Sequence, residues 1–268
     1  MQDIRTGTMG WSYEDWKGSF YPKDIPGPKM LETYARITGF STVELDSTFY
    51  GVPRASTLDG WAAQTGEGFL FSAKVPRAIT HERRLFNASE AALDFGTLLR
   101  DRLGAKLGSL LLQLPPDFVA DEQKTLLAFL DGIASSRSGN PPLPWVVEFR
   151  SASWIETQIA TALAERGISC ATTERVDLGG PLRYVRLLGT ENSVARFDER
   201  QIDRSEDIGV WARRLDEARR AGPDDGPPIL VYVRNFYEGH APATIAVLRD
   251  QLGLPTVTPP GQQQMSLF

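Results

Sequence analysis

Eight short apolar runs alternate with longer amphipathic stretches along this 268-residue chain, and that rhythm limits the possible folds more than anything else in it. The runs lie at residues 4–10, 42–45, 70–74, 110–113, 145–148, 169–172, 182–187 and 229–233. Between them, residues 29–37, 57–64, 90–103, 122–133, 155–166, 206–220 and 243–252 place apolar side chains at helical spacing. Strands that alternate with helices have no short connection available except a parallel crossover, so the pattern calls for a parallel sheet covered by helices. Eight repeats favour an α/β chain folded as a single (β/α)8 TIM-type barrel. The stretch 173–181 is too short for a full helix, so the sixth crossover is expected to be irregular. That gap keeps a doubly wound open sheet as the alternative.

Composition agrees with one domain. A chain with 41% hydrophobic and 24% charged residues can bury a sizeable core. The Ser/Gly/Pro loops at 135–144 and 222–228 do not separate unlike halves. Residues 1–254 are therefore assigned to the barrel. From 255 to 268 the sequence turns to proline, glycine and glutamine and reads as an extended tail. A formal net charge of −5 argues against a general nucleic-acid coat. The start carries no basic-then-apolar signal and no apolar run is long enough to span a membrane, so a cytoplasmic chain is expected. The single cysteine, Cys170, excludes an internal disulfide and falls in a strand expected to be buried and inert.

In a (β/α)8 barrel the C-terminal strand ends converge on one mouth. Here they supply Thr8, Trp11 and Tyr13 after the first strand, and Glu44, Asp46 and Ser47 after the second. Lys74 follows from the third, Gln113 from the fourth, Glu148 and Arg150 from the fifth, Arg186 from the seventh and Asn235 from the eighth. Glu44 and Glu148 are the candidate acid/base carboxylates. They come from strands well apart, so a substrate or a bridging divalent metal would have to lie between them. Lys74, Arg150 and Arg186 could hold a phosphate or carboxylate; the bland alternative is that each basic group pairs with a glutamate, as Glu44 with Lys74. His81 and His240 fall in loops after the third and eighth strands, where each is either a general base or a loop hydrogen-bonding group. A dedicated polyhistidine metal site is not expected. Among the loop aromatics, Trp16, Phe20, Tyr21, Phe49 and Trp154 suit lid packing, whereas Trp11 and Tyr50 are expected to be exposed and able to stack a base. No Walker loop, dinucleotide glycine fingerprint or nucleophile elbow is present.

Several of these segments carry a resemblance. Gly7-Thr8-Met9-Gly10-Trp11-Ser12-Tyr13, Phe20-Tyr21-Pro22 and Val43-Glu44-Leu45-Asp46-Ser47-Thr48-Phe49-Tyr50 resemble the YecE-like family of bacterial proteins of unknown function. So do Phe71-Ser72-Ala73-Lys74-Val75-Pro76 with Thr80-His81, Leu112-Gln113-Leu114-Pro115-Pro116, and Val147-Glu148-Phe149-Arg150 with Trp154. The resemblance covers residues 4–252. It implies a TIM-type barrel, similar in shape to sugar isomerases and to an apurinic-site endonuclease, and brings no established activity. The chain departs from the pattern at Ser151 and Leu188, where the family often has histidine, which weakens a histidine-ligated metal.

The terminal Gln264-Met265-Ser266-Leu267-Phe268 is similar to the pentapeptide by which bacterial replication and repair proteins bind the DNA sliding clamp. Gln264 would enter a polar pocket, with Met265, Leu267 and Phe268 as apolar anchors. Three functions follow as expectations. The first is a clamp-tethered repair or replication protein, a hydrolase acting on phosphodiester or nucleotide. The second is a non-catalytic clamp-associated module. The third is an enzyme of phosphorylated sugars.

Overall fold

The computed structural model describes residues 1–134 and 141–255. Eight parallel strands, β1 (Ile4–Thr8), β2 (Thr42–Leu45), β3 (Leu70–Lys74), β4 (Leu107–Gln113), β5 (Trp145–Glu148), β6 (Ser169–Thr173), β7 (Tyr184–Leu187) and β8 (Ile229–Val233), form one sheet. Its order is β1-β8-β7-β6-β5-β4-β3-β2. From β2 to β8 each strand thus lies beside its sequence neighbour, and β8 lies beside β1, which is the topology of a (β/α)8 TIM-type barrel and excludes the doubly wound alternative, whose order reverses. The helices are α1 (Met30–Arg36), α2 (Ala55–Gln64), α3 (Ser89–Leu103), α4 (Gln123–Ala134), α5 (Ile159–Ala164), α6 (Ser205–Ala221) and α7 (Ala241–Gln251).

By compactness the chain divides into two units. One comprises Met1–Glu44, Ala63–Phe69 and the chain from Val185; the other comprises Leu45–Ala62 and Leu70–Tyr184. In the first unit, β8 is buried at every position, as a parallel strand covered on both faces must be. It pairs with β1 in register from Ile4↔Ile229 to Thr8↔Val233. On the other side β1 approaches β2 closely: a Cβ at Gly7 would stand 2.0 Å from the Thr42 carbonyl oxygen, so only glycine fits there. A parallel bridge then joins Met9 to Glu44. Trp16, Phe20, Tyr21, Tyr34 and Phe40 fill this unit's core, with Phe20–Phe40 and Tyr34–Phe40 ring centroids 5.0 and 4.9 Å apart.

In the second unit β3 through β6 pair successively. Helix α3 buries Ala92, Phe95, Gly96, Leu99 and Leu103, a stripe at helical spacing. The stripe packs tightly because Gly96 lacks a Cβ, which would fall 2.6 Å from Leu143 and 2.8 Å from Leu110. Phe118, Phe149 and Trp154 close the core above the strands, with the Trp154 indole N–H donating to the Phe118 carbonyl at 2.9 Å.

The differences from the sequence reading are local. The first strand ends at Thr8, because Gly10 turns to φ +79°. The fifth helix shrinks from 155–166 to Ile159–Ala164, its start displaced by the short turn Ala152–Trp154 that buries Trp154. Between β6 and β7 no helix forms: Thr173 caps the backbone of Arg175 and Val176, and Gly179 and Gly180 both adopt positive φ. Cys170 is half-buried rather than buried, yet desolvation pushes its thiol up to about 12 and keeps it inert. No helix among the described residues is long and apolar enough to cross a membrane.

Candidate functional site

Two clusters of strand-end side chains emerge, one in each unit. In the first unit Glu44, at the end of β2, is wholly buried and receives a two-pronged contact from the equally buried Arg186 of β7, Nη2 to Oε1 at 2.7 Å and Nε to Oε2 at 3.0 Å. Arg186 Nη2 also lies 3.4 Å from the Met9 sulfur. Such a fork fixes both groups. The candidate acid/base and the candidate phosphate ligand are each other's partner, a buried ion pair that holds β2 to β7.

The loops of the same unit are also internally committed. Trp11 is half-buried, not exposed, and its carbonyl accepts the Tyr21 hydroxyl at 2.7 Å. Tyr13 donates its hydroxyl to the Met9 carbonyl at 2.6 Å and lays its ring against Trp16, centroids 4.6 Å apart. Asn235 is buried; its Oδ1 accepts the Trp16 indole N–H at 3.3 Å and the Ala241 backbone N–H at 3.0 Å. Those two donors fix the amide orientation and aim Nδ2 at no partner among the described residues. His240 is buried at the N-cap of α7, edge-on to Trp16, with Nε2 3.5 Å from the Ser19 hydroxyl. Burial holds its imidazole down to about 4, so it is neutral at pH 7. The turn after β8 that carries His240 folds inward, because Glu238 is buried under Arg200, the Arg204 backbone N–H and Thr244.

The second unit differs. Glu148, buried at the end of β5, accepts the Gln113 amide at 2.8 Å. His81 lies in a π-helical turn, Ala78–Glu82, a wide turn frequent at functional sites. Its Nδ1 meets the Thr80 hydroxyl at 2.9 Å, and Nε2 has no partner among the described residues. Phe49 sits edge-on to the imidazole at 4.9 Å and carries the Lys74 ammonium over its face at 4.2 Å. Desolvation lowers the His81 pKa, and the cations Lys74, Arg150 and Arg77 lower it further. The half-buried Arg150 forms no ion pair among the described residues. Tyr50 stands 78% exposed, as expected, beside Phe49.

Arg77 escapes a reading of strand ends alone. Its signal is the run from Lys74 to Arg84, which holds four cations against one acid, Glu82. No group of three or more His, Cys, Asp or Glu side chains that could hold a metal ion gathers among the described residues. The pentapeptide Gln264, Met265, Ser266, Leu267 and Phe268 lies outside the described residues.

The comparisons with known proteins agree with this fold. The chain is 33% identical over 156 residues to the UPF0759 protein YunF of Bacillus subtilis, covering 56% of this chain and 52% of that one. It spans about half the length of the curated relatives it matches. A solved DUF72 family protein from Thermotoga maritima MSB8 superposes with a TM-score of 0.73 at 24% identity, over 94% of this chain and 99% of that one. SacUVDE superposes at 0.58 with 10% identity, over 94% of this chain and 100% of that one, a likeness of fold. A family model matches residues 5–265, and the chain belongs to that family, described as "Protein of unknown function DUF72".

Proposed function

We propose that the cluster around His81 is an anion site for a phosphoester of nucleic acid or nucleotide, and that the chain is a hydrolase of that class. One observation carries the reading: Lys74 lies over the Phe49 ring that stands edge-on to His81, and the half-buried Arg150 of the same unit has no acidic partner among the described residues. A half-buried guanidinium with no ion pair among the described residues keeps its donors for an incoming anion. Its planar fork suits two phosphate oxygens, while the Lys74 ammonium adds a point charge. Desolvation first, and then the neighbouring cations, lower the His81 pKa, which favours the unprotonated form a general base requires. Nε2 is then available to take a proton from a water that attacks phosphorus as the P–O ester bond breaks, the departing alkoxide taking a proton from solvent. Gln113 orients Glu148 as a second carboxylate in the same unit. Tethering to the sliding clamp through residues 264–268 is part of the same proposal. It would let a chain of net charge −5 work on DNA despite weak intrinsic affinity.

Calorimetric titration with pyrophosphate and with a short oligonucleotide tests the site. Arg150→Ala should weaken binding at least about tenfold, the scale of one lost charge-assisted contact, with little change in thermal midpoint. Unaltered affinity would remove the reading. His81→Asn should abolish phosphodiester hydrolysis while retaining binding. Binding by the parent chain without any hydrolysis would favour the non-catalytic module.

A further inference from the structure

Five of the seven exposed large hydrophobic residues among the described ones fall in four consecutive loops of one unit: Tyr50 and Val52 after β2, Phe86 after β3, Val119 after β4 and Ile155 after β5. Scattered exposed apolar residues are ordinary, but a run of neighbouring loops that each present one is not. Of the cations around His81, Lys74 ends β3, and Arg77 and Arg150 lie in the loops after β3 and β5.

Phe86 is the most deliberate of the five. It is 69% exposed at the tip of a segment in which Arg84, Leu85 and Asn87 all adopt left-handed backbone, with φ of +46°, +67° and +48°. Each such residue without a glycine's freedom is strained, and three in four positions persist only because the surroundings hold them. The restraints are visible. Arg84 binds Asp117 and Glu122 and covers the Phe118 ring; Leu85 and Ala88 are buried on either side of the tip; the Leu85 N–H donates to the Ile79 carbonyl at 3.0 Å. The result is a braced turn that holds an aromatic ring in solvent. Arg83 beside it is exposed and has no ion-pair partner among the described residues.

We propose that Phe86 and Tyr50 are stacking platforms for unpaired nucleobases of a single-stranded nucleic acid whose backbone is held by Arg83 and by the cations around His81. The inference rests on the phosphate-binding reading above and narrows its substrate class. Arg83 and Arg150, neither in an ion pair among the described residues, share one unit with exposed rings, a combination that matches a strand alternating phosphate charge with flat apolar faces. A protein partner would be served by the apolar residues alone, and a free phosphorylated sugar would not span four loops.

Fluorescence anisotropy with a thymidine decamer and an abasic sugar–phosphate decamer tests it. Phe86→Ala and Tyr50→Ala should each weaken the thymidine decamer at least about fivefold and leave the abasic decamer unchanged, since stacking acts on the base alone. Phe86→Trp should retain binding. Both side chains are exposed, so thermal midpoints should hold. If the alanine variants bind both decamers as the parent does, or lose both equally, stacking is overturned. The phosphate reading then still stands provided Arg150→Ala loses both decamers. A parent chain that binds pyrophosphate through Arg150 but neither decamer overturns the strand and keeps the anion site. Failure to bind pyrophosphate as well removes both.

Discussion

Glu44 and Arg150 show how much a strand-end charge depends on what faces it. Glu44 meets Arg186 in a fully buried fork, and its chemistry is spent on holding β2 and β7 together. Removing one partner of such a pair leaves a buried charge uncompensated. Glu44→Gln should therefore destabilise the fold by about 3 kcal/mol or more, read as a lower denaturation midpoint. Glu44→Gln combined with Arg186→Met should recover part of that loss, because the second change removes the stranded cation. A double variant no more stable than the single one would mean that the ion pair is not the source of the loss. Arg150 is the opposite case, a half-buried cation with no described carboxylate against it, and its loss should leave stability almost untouched.

At the scale of the element, helix α7 and the turn before it show what two candidate site residues contact in the fold. Asn235 spends its carbonyl oxygen on Trp16 and the first N–H of α7, and His240 occupies the cap beneath them. Burial is the main cause holding the His240 imidazole near 4, partly opposed by the Asp198 carboxylate. The folded pKa lies below the unfolded value of 6.5, so the unfolded chain binds the extra proton. Stability from neutral His240 is complete above pH 6.5 and declines as pH falls from 6.5 toward 4. The full loss is on the order of 3 kcal/mol, because a tenfold change in proton affinity is worth about 1.4 kcal/mol. Chemical denaturation at several pH values in that window should show a shallower slope for His240→Gln than for the parent chain. An equal slope would locate the acid sensitivity elsewhere.

At the scale of the whole molecule, the prediction concerns the tail. Deleting residues 264–268 should abolish retention on an immobilised sliding clamp and leave pyrophosphate binding by the barrel unchanged. If the parent chain at micromolar concentration is not retained, the tether is rejected, while the anion site keeps its own test.

The number and order of the strands, both bounds of half of them and the crossover without a helix were legible in the string of residues. A parallel strand covered on both faces needs a continuous apolar run, and β8, Ile-Leu-Val-Tyr-Val, can hardly be read otherwise. Lys74, His81, Glu148 and Arg150 could likewise be placed at strand ends and in the loops beyond them, because the fold class dictates where such residues fall. Which charges are satisfied became visible only in the folded chain. Glu44 and Arg186 are 142 positions apart, and nothing local marks them as partners while leaving Arg150 without an ion pair among the described residues. Phe86 was illegible for a related reason: its exposure follows from left-handed backbone held by Asp117 and Glu122 from the next loop, a restraint no window around Phe86 contains. Apolar periodicity is a local property and survives in one dimension; electrostatic pairing and braced strain exist only once distant segments meet.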